Sequence, residues 1–487
     1  MVIRFKQCWK GRFVLILCLF ITLSTVYSQN YHAIHGSSFA GSLGVANNPA
    51  SIVNTPFPWD VTLVSAQLKN ATNAFTIKNY SLLSSPAKSM YSINGGDYSR
   101  FIHTNINVHL LNARLSINRR HAVAFGINLR GYSHVKTGSY NFVDTLSTLR
   151  DFLKINENNP VLEGNFNSST WIELFGTYSR TIWDSEQGRL NAGLTAKINR
   201  GISGAYLGLQ NASVLKVARG TRVEYIVKSG HANYGYSSNF DTWKNDKTTK
   251  TNVQDFIKIS QGSISFDVGA EYLVKSQAVT NFNDDDSYHE YEWKMGFALL
   301  DIGSNKFRYG IESRSIANPQ PSITDITIEN RFESVKTVSA FNDSLDGIVQ
   351  DVNALSGKFF IINPTRLVVN VDRPLTNDFY LNGELSLNLS SLAMNKVYTK
   401  EINLLTVTPR WETRRWGLYL PLQYTTEGRF WMGGAFKAGP LLIGVHNLAN
   451  VVAKNRMQNG GAYLALVIRP GNNTGAKQDR RLDCPPY

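Results

Sequence analysis

Five histidines, His103, His109, His121, His134 and His446, are the residues of this chain best suited to moving protons near neutral pH. A hydrolase would set one of them beside a nucleophile and an orienting acid. Each instead stands alone in a stretch where apolar and polar residues alternate, with no serine and acid beside it that the spacing identifies. Nor is there a Gly-x-Ser-x-Gly elbow, a phosphate-cradling glycine loop, a dinucleotide fingerprint or a His-Glu-x-x-His. The densest acidic run, Asp284-Asp285-Asp286 with His289, Glu290 and Glu292, lacks the spacing of a calcium loop and reads as a solvated turn. No enzyme, metal site or cofactor is expected.

The remaining chemistry is charge. Arg114, Arg130, Glu173, Lys197, Asp267, Glu271, Glu384, Arg410 and Glu412 all fall on the polar side of alternating stretches, as do Lys294, Arg366, Asp372 and Lys437. In a strand, alternate residues share a face, so these charges would line one surface. Both signs occur in similar number. A pore selecting ions would concentrate one sign at its constriction, so a mixed set suits ion pairs across a closed lumen.

The elements that carry these charges read as strands. From Ile402 to Arg469, Leu405, Val407, Pro409 and Trp411 share one parity, with Thr406, Thr408, Arg410 and Glu412 on the other. Leu418, Leu420, Leu422 and Tyr424 repeat the pattern, then Phe430, Met432, Gly434 and Phe436, then Leu441, Ile443 and Val445. Hairpin-length breaks separate the runs, which makes an antiparallel meander. Similar runs extend back to Val61, and the doublet Leu110-Leu111 slips the phase, as at a bulge. About fourteen strands result, with long and short connections alternating, as in outer-membrane barrels. Trp59, Trp171, Trp183, Trp411, Trp416 and Trp431 lie near strand ends, where an aromatic girdle would sit. An open sheet edge in lipid leaves backbone groups unpaired, so closure follows. The expected fold is all-β: a closed antiparallel transmembrane β-barrel over 60–469, with a plug-like segment at 29–59 and a polar tail at 470–487.

Targeting agrees. Arg4, Lys6, Lys10 and Arg12 precede an apolar run from Phe13 to Val26, the order of a signal peptide over 1–28. Without it the chain stays basic, given 50 Lys+Arg against 36 Asp+Glu overall. Cys484 becomes its single cysteine, so no internal disulfide is expected. The basic residues are dispersed, which argues against nucleic acid and for outer-membrane lipid and lipopolysaccharide as neighbours. Both termini are expected in the periplasm.

The segment after the leader is built of small residues: Gly41-Ser42-Leu43-Gly44-Val45-Ala46-Asn47-Asn48-Pro49-Ala50. It resembles the Asn-Pro-Ala entry of fatty-acid-transporter-like (FadL-type) barrels. That resemblance implies a hatch inside a fourteen-stranded barrel, with Gly41, Gly44, Asn47, Asn48, Pro49 and Ala50 as candidate plug or ligand-binding residues. The wider order resembles an uncharacterised outer-membrane barrel family of the Bacteroidota, through Phe266-Asp267-Val268-Gly269-Ala270-Glu271-Tyr272, Leu299-Leu300-Asp301-Ile302-Gly303, Pro364-Thr365-Arg366-Leu367 and Gly439-Pro440-Leu441-Leu442-Ile443-Gly444. It implies location and fold but no substrate. The chain ends its last strand on Ile468-Arg469-Pro470, without the terminal aromatic usual in barrels. Two functions are expected in order. The first is a plugged structural or docking component of an envelope assembly of the secretion or gliding type, with envelope proteins as partners. The alternative is FadL-like uptake of small hydrophobic or amphipathic molecules, which predicts an apolar pocket beside Gly41–Ala50.

Overall fold

Alternation over this many runs leaves each strand with one apolar and one polar face, and the chain buries the polar one by rolling up. The computed structural model describes residues 33–81, 89–275, 291–376, 378–393, 396–452 and 455–470. The leader with its cleavage point, the acidic run from Asp284 to Glu290 and the tail with Cys484 lie outside the described residues.

Fourteen strands form the wall. The first seven are β1 (Trp59–Thr72), β2 (Gly96–Asn118), β3 (His121–Phe142), β4 (Val161–Asp184), β5 (Gly188–Arg219), β6 (Gln261–Lys275) and β7 (Tyr291–Arg308). Next, β8 is built from Lys358–Ile362 and Arg366–Pro374, and is followed by β9 (Phe379–Asn388) and β10 (Leu404–Glu412). Strand β11 joins Trp416–Tyr419 to Leu422–Thr425, and β12 joins Phe430–Met432 to Gly434–Ala438. Strands β13 (Leu441–Val445) and β14 (Asn459–Ile468) complete the set. Every neighbouring pair is antiparallel, and β1 bonds to β2 on one side and β14 on the other, so the sheet has no free edge.

Among the described residues no helix is long and apolar enough to cross a membrane. The outward face supplies the apolar surface instead. Leu194, Ile198, Ile264, Phe297 and Leu418 are each more than half exposed, while their strand neighbours are buried inside. A soluble protein rarely exposes so continuous an apolar band. Trp59, Trp183, Trp293 and Trp416 stand half-exposed at the end of the barrel that carries the short turns. Trp171 and Trp431 correct the girdle read from sequence. Both are buried and belong to the lumen, where Trp171 stacks on Tyr132 with centroids 5.6 Å apart.

The polar stretch Ser133–Ser169 is largely strand: β3 runs to Phe142 and β4 starts at Val161. About ten residues cross a bilayer, so these hairpins continue beyond it, where water on both faces removes the alternation but not the ladder. Likewise β5 passes the bilayer to pair with a strand at Arg222–Tyr236 in a long hairpin.

Two strands carry an extra residue that matters inside. In β2 the ladder shifts between Leu110 and Ala113, with Leu111 at φ 58°. In β7 it shifts between Leu299 and Ile302, with Asp301 at φ 59°. The second bulge turns both Leu300 and Asp301 inward, and β8 is interrupted opposite it, between Ile362 and Arg366.

Candidate functional site

Residues 33–58 lie inside the barrel. Small side chains let the segment coil tightly there, in two 3₁₀ turns, Gly41–Ala46 and Pro49–Val53. Asn48 starts the second by accepting a hydrogen bond from the Ala50 N–H at 2.9 Å. Pro49 at the first position lacks an N–H that would have no acceptor there. The wall is hollowed to receive it. Gly193 on β5, Gly269 on β6 and Gly296 on β7 face Asn48, Pro49 and Ala50 so closely that a Cβ at any of them would collide.

The candidate residues of the segment are thus gathered against the wall. Asn47 donates to Glu384 at 3.0 Å, Asn48 to the Ala270 carbonyl at 3.0 Å, and the Ala50 carbonyl accepts from Ser179 at 3.1 Å. Ser37 donates to Glu412 at 2.6 Å, and Ser38 lies 3.1 Å from the Lys294 ammonium. Arg114 donates to the carbonyls of Ile52 and Phe57 while binding Asp60 at 2.5 Å. Gly41 sits against Asp60 at φ 59°, a conformation and a space that exclude a side chain. Gly44 packs on Ser51 and Ala40 within the segment itself. Apolar contacts complete the seat: Ile34 and Leu43 meet Tyr419 and Leu442, and Val45 and Ile52 meet Phe175.

All nine charges assigned to the lumen are buried and inward. They pair along the wall, with the segment and, where Arg130 reaches Asp301, between strands four places apart. Arg130 on β3 binds Glu173 on β4 and Asp301 on β7, and Lys197 on β5 binds Asp267 at 2.8 Å and Asp301 at 2.7 Å. Further round, Arg410 binds Asp372 at 2.7 Å and Glu412 at 3.1 Å, and Glu412 binds Lys437 at 2.9 Å. Glu384 accepts from His35 at 3.0 Å, and Glu271 lies 3.5 Å from the Asn191 amide. Buried charges persist when each is paired and hydrogen-bonded.

Strand reading missed three acids of this network. Asp301 sits on the β7 bulge, where the phase reverses. Asp60 precedes the first residue read as strand. Glu401 belongs to the connection 389–403, which folds back into the mouth of the barrel opposite the short turns. There its carboxylate accepts from Lys69 at 3.5 Å, Asn105 at 3.0 Å and Arg366 at 3.1 Å. Val397 of the same connection packs on an aromatic cluster of Tyr206, Phe307 and Phe359. The lumen is therefore occupied from both ends. Of the histidines, His103 and His134 stack on each other at 4.4 Å, and His121 bonds Tyr178 at 2.6 Å.

A cavity remains between the segment and the wall, bordered by Val45, Ala46, Asn112, Lys197 and Arg366. A smaller one lies on the segment's other face, beside Asn47, Asn48, Glu271 and Lys294. Most of the residues around them carry polar side chains, yet the surface both present is more apolar than polar, beside Gly41–Ala50 where an apolar pocket was expected.

No family model matches the sequence, and no curated protein does. Solved structures give low-identity likenesses in fold. The chain is similar to a FadL homologue of Pseudomonas aeruginosa, with 12% identity over 91% of this chain and 98% of that one and a TM-score of 0.42. It is similar to the toluene transporter TbuX of Ralstonia pickettii, with 12% identity over 88% and 94% of the two chains and a TM-score of 0.39.

Proposed function

We propose that this chain is an outer-membrane barrel that takes up a small molecule of the hydrophobic or amphipathic kind when its lumen segment moves aside, the route of FadL-like barrels. The observation that carries the proposal is the way residues 33–58 are held. Side chains from many different strands bind the segment through hydrogen bonds that water or a solute can replace singly, and a cavity lies on each of its faces. A filler needed only for stability would be packed dry and continuously. In this reading the short-turn end, with both chain ends, faces the periplasm.

Removing residues 36–54 from the full chain and recording planar-bilayer conductance tests the proposal. Uptake through the lumen expects a quiet wild type and an opened deletion variant. A deletion variant that folds, by its heat-dependent gel mobility, yet stays as quiet as wild type overturns it.

The compensated charges also suit a barrel that never conducts and serves as a docking point for an envelope assembly. That second reading expects a stoichiometric partner in crosslinked outer membranes and no gain in conductance from the deletion.

A further inference from the structure

Strand β5 changes partner along one edge. From Gly188 to Gly201 it pairs with β6, and from Ala205 onward with the strand Arg222–Tyr236. The chain joining those two partners, 237–260, therefore leaves the sheet between the levels of Gly201 and Ala205. It folds as a small unit, a 3₁₀ turn at Phe240–Thr242 and a helix at Thr249–Lys258. Asn239 donates to the Phe256 carbonyl, and the Asn252 amide donates to the Lys244 carbonyl at 2.7 Å. The Phe256 ring meets those of Phe240 and Trp243 edge-on, with centroids 5.4 and 6.4 Å away.

Both ends of the unit are tied to the outward face of the wall. Arg200 follows Ala196 and Ile198 on the outward parity of β5, and its Nε donates to the Ser260 hydroxyl at 3.0 Å. Tyr206 turns inward to the aromatic cluster, so Ala205 and its partner Tyr236 turn outward. The Tyr236 hydroxyl donates to Asp241 at 2.7 Å. The level of the unit follows from the strand. Arg200 stands six residues beyond Leu194, midway along the part of β5 that pairs with β6. At about 3.3 Å per residue and a tilt near 40°, that is roughly 15 Å along the membrane normal. The apolar band is about 25 Å tall, so the unit begins where acyl chains give way to headgroups.

Its free surface suits that level. Phe240, Trp243, Val253 and Ile257 are each nearly half exposed. Val253 and Ile257 lie one turn apart on one flank of the helix, with Lys250 at its edge and Thr251 turned away. Lys247 and Lys258 share Asp255 at 2.8 and 3.6 Å, while Lys244 and Lys250 are exposed with no ion pair among the described residues. Four lysines against three aspartates leave a small basic excess over 237–260, so the apolar side chains dominate the surface. Among the described residues the other half-exposed tryptophans, Trp59, Trp183, Trp293 and Trp416, stand at the short-turn end, and Trp243 is the exposed tryptophan of the opposite end.

We propose that 237–260 is an interfacial anchor, whose Phe240, Trp243, Val253 and Ile257 enter the lipid leaflet opposite the short turns. Its occupant is the boundary between headgroups and acyl chains. An indole settles there because its ring is apolar and its N–H polar. Lysines at the edge lay their stems along the chains and extend the ammonium toward lipid phosphates. The patch continues the lipid-facing surface upward from Ile198 and Ile264, which are paired across β5 and β6 and exposed outward. A soluble partner could reach it only through the headgroups. The anchor fixes the height at which the wall hands over from β6 to the long hairpin.

The inference stands whether or not a solute passes the lumen, and its failure would leave the uptake reading untouched. The test uses the full-length protein with its three cysteines replaced by serine, carrying Val253→Cys, Ile257→Cys or Thr251→Cys with a nitroxide label. In phosphatidylcholine vesicles, labels at 253 and 257 should lose most of their collisions with a water-soluble nickel chelate and gain collisions with oxygen. The label at 251 should keep its chelate collisions. Trp243 answers the same question without a label. The share of emission that Trp243→Phe removes should be quenched in vesicles of phosphatidylcholine brominated high on its acyl chains. Chelate collisions at 253 and 257 as frequent as at 251, or a Trp243 share that bromine leaves unquenched, overturns the proposal.

Discussion

Gly193, Gly269 and Gly296 decide, one atom at a time, whether the lumen can be filled. A Cβ at Gly193 would stand 2.5 Å from the Pro49 backbone, which cannot yield as a side chain does, whereas at Gly269 and Gly296 the nearest atom belongs to the Asn48 side chain. Gly193→Val should therefore leave the barrel folded and expel the segment, seen as protease cleavage within 33–58 and a rise in conductance. Gly176, whose Cβ direction is open, should accept alanine without either change. The charges separate by the same logic of surroundings. Asp301 holds both Arg130 and Lys197 in the interior, so Asp301→Leu leaves two buried cations short of a partner and should cost about 3–5 kcal/mol. Lys216 pairs with Glu157 at the exposed end of a hairpin, and Lys216→Ala should cost no more than about 1 kcal/mol. Guanidinium unfolding of the refolded protein, followed by tryptophan fluorescence, measures both. Lumen charges such as Arg114 and Glu412 were readable from alternation because their strands keep phase on either side of them. Asp301 was not, because its inward direction is created by a bulge, and Glu401 was not, because alternation is silent about a connection.

Bulges act as paired elements, not isolated irregularities. Strand β1 gains a residue against β14 between Thr62 and Val64, and β2 gains one against β3 between Leu110 and Ala113. The two extra residues, Leu63 and Leu111, lie at the same level, since Thr62 faces Asn112 and Val64 faces Leu110. Strands β1 and β2 thus stay in register with each other while both are out of step with their outer neighbours. Deleting Leu111 alone forces the β1–β2 ladder to slip by one residue and pulls Asp60 from Arg114. Deleting Leu63 and Leu111 together makes all three ladders regular and keeps Asn112 and Arg114 inward. The double deletion should therefore be more stable than the single deletion of Leu111, a strongly non-additive pair that unfolding midpoints would reveal. The doublet Leu110-Leu111 announced its bulge in the sequence because two outward leucines break the pattern visibly. The bulges in β1 and β7 carry similar doublets, Leu63-Val64 and Leu299-Leu300, which reading the runs for alternation alone passed over.

For the molecule as a whole, the argument turns on what the apolar side of the wall touches. Closure and the inward direction of the charges were legible because a two-residue period survives wherever one face is greasy. Strand ends were not, because a hairpin standing in water needs no period. This is why β3 and β4 outrun the alternation that revealed them. The same distinction supplies a measurement. Leu194 lies about midway along the part of β5 that pairs with β6, and it is half exposed with nothing polar to join. If hydrocarbon surrounds it, Leu194→Arg should cost roughly 2–4 kcal/mol, the penalty for arginine near a bilayer midplane. Leu215, on the extension of β5 that pairs with Arg222–Tyr236, is similarly exposed but stands beyond the bilayer. Leu215→Arg should be close to neutral there, within the ±0.5 kcal/mol or so typical of surface changes. Folding both variants into lipid vesicles and comparing their unfolding free energies sets the two environments side by side. Equal and small effects at both positions would mean that water bathes the whole outer face, and the membrane-spanning reading would fall with it.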